Sequence, residues 1–255
     1  MLHHDSSEDE AVPLARLRAA TPAQLAAAFA APPAQAAPWI AAAARYGVVE
    51  AQLLLGQMHL DGKGVPRNPA AALAWFRTAA AAGSAAGMNM VGRCHEHGWG
   101  APADAAAAAA WYRKAAEAGL DWGQYNLANL YARGAGVARD MAAALSWYRR
   151  AAAQGHAKAL NVLGRFLEEG WEVARDPRAA AACYARAAAD GDFRAQFNLG
   201  TLLAAAGRLA EAVRWFRAAA EAGTPGFRRS MAARLMARPE PALRAIAEEL
   251  LAPAG

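Results

Sequence analysis

The sequence predicts an all-α protein, an α-α superhelical solenoid of about five to six antiparallel helix-turn-helix repeats with capping helices at its ends. Three observations lead to this fold class. Hydrophobic residues make up 56% of the 255 residues, and many of them are alanine, which favours helix and lets helices approach closely. One stretch, an aromatic pair followed by alanines and a glycine, recurs along the chain. Its final glycines from Gly83 to Gly191 lie 36 residues apart and Gly223 follows after 32, and a fixed period of about 20 to 50 residues is typical of solenoids.

The recurring stretch predicts the second helix of each repeat. The aromatic pair is expected to face the core, and the final glycine is expected to end the helix in a left-handed conformation. Each hairpin must present the same buried face to its neighbour, which explains why the stretch returns. It reads WFRTAAAAG at 75–83, WYRKAAEAG at 111–119, WYRRAAAQG at 147–155, CYARAAADG at 183–191 and WFRAAAEAG at 215–223.

The first helix of a repeat is illustrated by residues 51–62, AQLLLGQMHLDG. Leu55, Met58 and His59 are spaced i, i+3 and i+4, which places them on one helical face. The loop GKGVPRNP follows: its glycines permit left-handed backbone, Val65 is expected to pack back into the core, and Pro69 should begin the second helix. The matching loops read GWGAPADA, GAGVARDM and GWEVARDP.

This order of Leu-Gly, Tyr or His, a G-x-G-V loop and W-Y-R-K-A-A…G resembles the Sel-one-like repeat, a 36-residue class of the tetratricopeptide superfamily. The resemblance covers residues 39–223, although the unit at 192–223 has lost its glycine loop. Atypical terminal units are expected because they cap the stack. The domain prediction is therefore a disordered acidic tail at 1–12, N-terminal capping helices of a degenerate repeat at 13–47, the repeat solenoid at 48–223, and C-terminal capping helices at 224–255.

Composition excludes several classes of protein. No charge-free run long enough for a membrane span occurs outside alanine-rich amphipathic segments. The N-terminus, MLHHDSSEDE, lacks the basic-then-apolar order of a signal peptide, so we expect a cytoplasmic location. The two cysteines, Cys94 and Cys183, stand in apolar positions of the repeat and are interpreted as small hydrophobic residues, with a disulfide or redox role as the alternative.

The net charge is +5, and nearly all of the positive charge is arginine. Arg77, Arg113, Arg149 and Arg217 share one place beside the aromatic pair. This periodicity favours a structural or solvated face over a nucleic-acid groove. Binding of nucleic acid or of an acidic partner through the basic surface remains the alternative function.

No enzyme chemistry is predicted. The glycine loops follow no strand and contain no phosphate-binding consensus, so they are interpreted as hairpin connections. Cys94, His95 and His97 point in different directions on a helix, so we expect no metal site there. His59 and His95 stand where Tyr131 stands in the next unit and are interpreted as core substitutes.

Neither the acidic residues of the first helices nor the family resemblance predicts a hydrolase site. The acidic residues Glu96, Glu168 and Glu169 are interpreted as a solvated helical face. Some secreted members of the resembled family are linked to hydrolysis of cell-wall compounds, but this chain has neither their paired cysteines nor an export signal. A hydrolase is therefore the weaker alternative, and we expect no catalytic, cofactor-binding or metal-binding residues.

The resemblance implies that the first helices line a concave groove. The groove positions vary between repeats, and in the middle repeats they carry amide, guanidinium and aromatic groups. Such groups hydrogen-bond peptide backbone, clasp carboxylates and supply contact area. The sequence thus predicts a non-catalytic scaffold that binds a protein or peptide partner in its concave groove. The predicted partner-binding residues are Asn89, Arg93, Trp122, Tyr125, Asn129, Asn161, Arg165 and Phe197.

Trp99 and Trp171 occupy the same place in two loops. They are candidate loop contacts for a partner, because an exposed tryptophan supplies a large contact area. The alternative is that each tryptophan folds back over its own hairpin. Neither the partner's identity nor the oligomeric state follows from the sequence.

Overall fold

The computed structural model describes residues 14–252, and every regular element among them is an α-helix. The chain forms two compact units that divide between Arg139 and Asp140. The predicted acidic tail at 1–12 lies outside the described residues. Within the described part of the chain, consecutive helices pack as antiparallel hairpins, which confirms the predicted fold class.

The first unit contains the repeats that precede Asp140. Its helices are α1 Leu14–Ala19, α2 Pro22–Ala30, α3 Pro33–Arg45, α4 Val49–Asp61, α5 Pro69–Ala81, α6 Ala85–His97, α7 Ala105–Glu117 and α8 Asp121–Arg133. Helix α2 is the predicted partner of the degenerate first repeat, and Pro69 begins α5 as expected. Helices α4 and α5 pack together, as do α6 and α7.

The second unit contains the remaining repeats and the closing pair. Its helices are α9 Met141–Ala153, α10 Ala157–Glu169, α11 Pro177–Ala189, α12 Phe193–Ala205, α13 Leu209–Ala222, α14 Pro225–Met236 and α15 Pro241–Leu251. Helices α10 and α11, α12 and α13, and α14 and α15 form packed pairs. Helices α14 and α15 lie at the C-terminal end of the described chain, and their predicted role as a cap of the solenoid stays a prediction.

Glycines in the left-handed conformation end the helices. The first helices α4, α6, α8 and α10 end at glycines with φ between 70° and 76°. The glycines after the second helices, from Gly47 to Gly191, also have positive φ, as predicted. Gly223 is the exception: its φ is −76°, so the predicted left-handed cap is wrong there. Thr224 and Pro225 begin α14 at once, so the chain leaves α13 in extended backbone instead.

A second glycine, present in three of the four loops, allows a close approach between repeats. A Cβ at Gly64 would overlap the carbonyl of Pro33, and a Cβ at Gly100 would overlap the carbonyl of Pro69. Each of these loops thus rests on the first residue of the preceding second helix. The glycines therefore connect two helices and also fit one repeat against the previous one.

The aromatic pair is divided between core and surface. The second aromatic residue is buried, as in Tyr112 and Tyr184, which are fully buried. The first is only half-buried, but Trp75 and Trp111 still pack against the hydrophobic core, so the pair faces the core as predicted while the second member alone is enclosed in it. Lys114 Nζ lies 4.2 Å from the ring centre of Trp111. A cation over the face of a ring is attracted to it, and this contact stabilises the half-buried tryptophan at the surface.

Candidate functional site

Pairs of asparagines join adjacent first helices in both units. Asn126 Nδ2 on α8 donates a hydrogen bond of 2.9 Å to Asn89 Oδ1 on α6. In the second unit, Asn198 Nδ2 on α12 donates a bond of 2.9 Å to Asn161 Oδ1 on α10. The second pair repeats the first after two periods of the sequence.

The pairing corrects the expected exposure of two predicted residues. Asn89 is 7% exposed and Asn161 is 6% exposed, so neither amide lies open on the surface. The reason is that a buried amide must find hydrogen-bond partners, and the next first helix supplies one in each case. Binding of a partner by these residues stays a prediction.

The second unit contains a pocket of about 430 Å³ between α10, α12 and α14. Three predicted residues, Asn161, Arg165 and Phe197, meet in it. Its polar, charged and aromatic side chains come from three helices. The lining residues are Asn161, Arg165, Glu168, Glu169, Arg194, Phe197, Asn198, Thr201, Phe227, Ser230 and Arg234.

Three arginines of this pocket lie over aromatic rings. The guanidinium carbon of Arg165 is 5.2 Å from the ring centre of Trp171. The corresponding distances are 4.5 Å from Arg194 to Phe193 and 4.4 Å from Arg234 to Phe197. Stacking engages the flat face of a guanidinium and leaves its N–H edge able to bind other groups.

Aromatic rings form the apolar wall of the pocket. Phe197 is 3% exposed, so the expectation of a freely presented ring is corrected. Its ring centre lies 5.3 Å from that of Phe216 and 5.9 Å from that of Phe227, which also contacts Phe193. The fold holds Phe197 in place because α12 packs on α13 and aromatic neighbours surround the ring.

The predicted residues of the first unit lie on the adjacent helices α6 and α8. Trp122 is 44% exposed and meets Tyr125 edge to face, with ring centres 6.2 Å apart. Arg93 is half-buried over a tryptophan ring. The backbone carbonyl of Asn129 accepts a bond of 3.3 Å from Arg133 Nε. The structure thus brings the five first-unit predictions to one pair of helices.

The two loop tryptophans fold back over their own repeats. Trp99 is half-buried against the core of its hairpin and stacks on His97, with ring centres 4.6 Å apart. Trp171 is 39% exposed, and its ring meets Phe166 edge to face at 5.7 Å. A direct partner contact by either ring stays a prediction.

The glutamates beside the predicted site do not form a solvated face. Glu96 Oε2 accepts a bond of 2.6 Å from Tyr112 Oη, and Glu96 Oε1 accepts one of 2.8 Å from Arg133 Nη2. Glu168 Oε2 accepts a bond of 2.7 Å from Tyr184 Oη. The earlier interpretation is therefore corrected for Glu96 and Glu168, because the buried tyrosines need acceptors for their hydroxyl protons.

Glu96 is the acidic group with the clearest change of pKa in this region. Burial alone would raise the pKa of Glu96, but the hydrogen bonds from Tyr112 and Arg133 outweigh burial and lower it below its ordinary value. For Tyr112, burial and then the bond to Glu96 raise the pKa well above its usual range. The carboxylate therefore stays charged and the phenol stays protonated near neutral pH.

We expect Glu96→Gln to lower the free energy of unfolding by about 2 kcal/mol at neutral pH, because charge-assisted hydrogen bonds are weakened. A lowered pKa stabilises the folded state above the ordinary value of 4.5 and loses that effect as pH falls through the folded pKa. The difference between wild type and variant should therefore shrink in acid. Urea unfolding at several pH values measures it, with the exposed Glu117→Gln as control. A difference that does not change with pH would contradict this role.

Cys94, His95 and His97 do not converge on one point, because each contacts different neighbours. Cys94 is buried, and burial raises the pKa of its thiol to about 11, so it is a poor nucleophile near neutral pH. His95 Nε2 lies 3.5 Å from Arg77 Nη2, whereas His97 stacks on a loop tryptophan. In the part of the chain that the structure describes, no three His, Cys, Asp or Glu side chains are grouped as metal ligands would be.

Two of the four periodic arginines, Arg77 and Arg113, contact the position that His95 and Tyr131 share. Arg113 Nη2 donates a bond of 2.9 Å to Tyr131 Oη, which is the counterpart of the Arg77–His95 contact. His59, His95 and Tyr131 are all half-buried, so they are only partly core residues. These contacts support the structural interpretation of the periodic arginines.

The sequence reasoning missed several lining residues. Asn126 and Asn198 are separated by two periods, as are Asn89 and Asn161, and this shared spacing was the signal for the pairs. On α14, Phe227, Ser230 and Arg234 follow i, i+3, i+7 spacing, which places them on one helical face. That signal could not show which face of α14 meets the first helices.

Among residues 14–252, no helix is both long and apolar enough to cross a membrane. No match is found among curated protein sequences. The Sel1 repeat family model matches most of the chain, at residues 49–84, 85–120, 123–156, 157–192 and 194–224.

Solved structures with the same fold are found in bacteria. A protective antigen of uropathogenic Escherichia coli strains, which displays an SLR fold, is 31% identical with a TM-score of 0.69 over 86% of this chain. This chain spans 50% of that antigen. A Sel1 repeat protein from Oxalobacter formigenes is 26% identical with a TM-score of 0.73, over 86% of this chain and 93% of its own. An immunity protein from Pseudomonas aeruginosa, 18% identical with a TM-score of 0.55 over 79% of this chain and 77% of its own, shares the fold.

Proposed function

This chain belongs to the Sel1-repeat family, whose members are generally protein-interaction scaffolds, and from that membership we propose that it is a non-catalytic scaffold for a partner protein. It binds a peptide segment of that partner on its first helices. In the second unit the segment occupies the pocket between α10, α12 and α14.

The pocket is the observation that carries this proposal. Its volume of about 430 Å³ is enough for a few side chains of a ligand, and three helices contribute to it. The half-buried amide of Asn198, held in place by Asn161, can bond a peptide backbone, and the half-buried ring of Phe227 supplies apolar contact. On α8, exposed Trp122 offers a second contact area of the same kind.

The test is affinity capture with a variant that lacks three polar side chains of the pocket. Asn161→Ala, Arg165→Ala and Asn198→Ala are combined, because removing both members of an asparagine pair leaves no orphaned amide. Arg229→Gln, an exposed residue of α14 outside the pocket, is the matched control. Proteins retained from a native lysate are identified by mass spectrometry, and circular dichroism checks helicity.

We expect one specific protein to be retained by the wild type and by the Arg229 variant and lost with the pocket variant. Synthetic peptides of that protein should then bind the wild-type chain directly. Retention of the same proteins by all three chains, or of none by the wild type, would refute binding at this pocket. A separate Trp122→Ala variant tests the first unit in the same experiment.

A further inference from the structure

The geometry points to a carboxylate of the bound peptide as the group that the pocket between α10, α12 and α14 recognises. This inference rests on the proposed function and specifies its ligand. The carboxylate lies against Arg194 of α12 and Arg234 of α14. An apolar side chain beside it packs on the half-buried ring of Phe227, which rests on the buried ring of Phe197.

Among the described residues a few arginines pair with a carboxylate, and the three pocket arginines are not among them; these three are set apart because they line one pocket. Arg133 pairs with Glu96, and Arg238 pairs with Glu240, at 2.8 Å and 2.9 Å. Among the described residues, none of the three pocket arginines forms an ion pair or donates a hydrogen bond to a carboxylate. Their guanidinium groups are instead held over aromatic rings, which fixes their position and leaves N–H donors for a ligand.

The charges of the pocket are separated between its walls. Both acidic lining residues, Glu168 and Glu169, belong to α10, which also carries Arg165, whereas the charged lining residues of α12 and α14 are arginines alone. Glu168 is also held by the hydroxyl of Tyr184. A single carboxylate fits the wall of α12 and α14, but a polyanion that crossed the whole pocket would meet the two glutamates. The arrangement therefore favours an acidic peptide over a nucleic acid.

The remaining groups suit a peptide that carries such a carboxylate. The asparagine pair uses one N–H of Asn198 and the oxygen of Asn161, and no other described residue bonds either side-chain amide. Asn198 is the more exposed member of the pair, so its oxygen and its second N–H can bond a peptide backbone. The carboxylate can be the free C-terminus or an Asp or Glu side chain, since the two share this chemistry.

The inference is tested with a library of short synthetic peptides, each made with a free and with an amidated C-terminus. Binding of fluorescent peptides to the full chain is measured by polarisation. We expect the bound peptides to be enriched in a carboxylate next to an apolar residue. Replacing that carboxylate by an amide should weaken binding at least tenfold, roughly the effect of losing one charge-assisted bond. Loss on C-terminal amidation identifies the terminus, and loss on Glu→Gln or Asp→Asn exchange identifies a side chain.

Protein variants provide the second arm. Arg194→Gln combined with Arg234→Gln should weaken binding by the same factor, while Arg229→Gln should bind as the wild type does. The three side chains are exposed, so the variants are expected to melt like the wild type. The peptides whose carboxylate is replaced by an amide test carboxylate recognition on the wild-type protein, so that result does not depend on whether a protein variant folds.

The outcomes separate the two proposals. Peptides that bind without regard to their carboxylates, or that bind the double variant as tightly as the wild type, would overturn carboxylate recognition and leave peptide binding intact. Displacement of a bound peptide by an equimolar single-stranded oligonucleotide would also overturn it, in favour of a polyanion. If no library peptide binds, carboxylate recognition and the proposed peptide binding both fail.

Discussion

Replacing Gly164 by valine is expected to lower the free energy of unfolding by about 3 kcal/mol, because the new side chain has no room. A Cβ at this position would lie 2.5 Å from Cε1 of Tyr184, which belongs to the paired second helix. The ring of Tyr184 cannot move aside easily: it is fully buried, and its hydroxyl is bonded to Glu168. Helices α10 and α11 would have to separate.

Urea unfolding followed by circular dichroism measures this effect, with Gly226→Val as the matched control. A Cβ at Gly226 meets nothing within 4 Å, so the same substitution on α14 should leave stability nearly unchanged. Because Gly164 precedes Arg165, movement of α10 should also weaken binding of any ligand at the pocket. Equal unfolding midpoints for the two variants would show that the close approach of α10 and α11 is not required.

Replacing Gly100 by alanine is expected to cost about 3 kcal/mol as well. Gly100 has a φ of 77°, and a left-handed conformation costs an L-residue about 1–2 kcal/mol. In addition, the Cβ would overlap the carbonyl of Pro69 at the start of α5. A backbone group in a helix cannot rotate away, so the loop must lift from the preceding repeat.

The control for this prediction is Gly98→Ala in the same loop. Gly98 has a φ of 71°, but the nearest atom to a Cβ there is 3.5 Å away, an ordinary contact. We therefore expect a loss of only about 1–2 kcal/mol, measured by thermal and urea unfolding. In a later loop, Glu172 stands at the place that matches Gly100 and adopts a φ of 55°, so left-handed backbone alone does not demand glycine. If Gly98→Ala and Gly100→Ala lower the free energy of unfolding equally, the close approach of Gly100 to Pro69 is not the cause of the loss.

Much of the fold could be predicted because the signals are local and repeated. Pro69 begins α5 where the sequence places it, and Val65 packs back against the core. Gly223 shows the limit of this reasoning. It belongs to the glycine series, yet the following Thr-Pro pair begins the next helix at once and removes the need for a left-handed turn.

The sequence predicted which helical faces carry the candidate site, but it did not predict the contacts that these side chains make with other helices. Helical spacing placed Asn161, Arg165 and Phe197 on the faces that line the pocket. It did not show that Asn161 is buried against Asn198, nor that α14 brings Arg234 over Phe197. These contacts join residues of different repeats.

The sequence by itself determined the repeat, the helical hairpins and the side-chain positions on each first helix. A helix of fixed period specifies the direction of every side chain from its own residues alone. The tertiary structure decided which of those side chains bond to neighbouring helices and which are left to bind a ligand. Glu96 and Glu168 are bonded to buried tyrosines. Among the described residues, the three arginines of the pocket form no ion pair with a carboxylate. The Glu–Tyr bonds join the two helices of one repeat, whereas the pocket forms where α14 adjoins the first helices α10 and α12 of two different repeats.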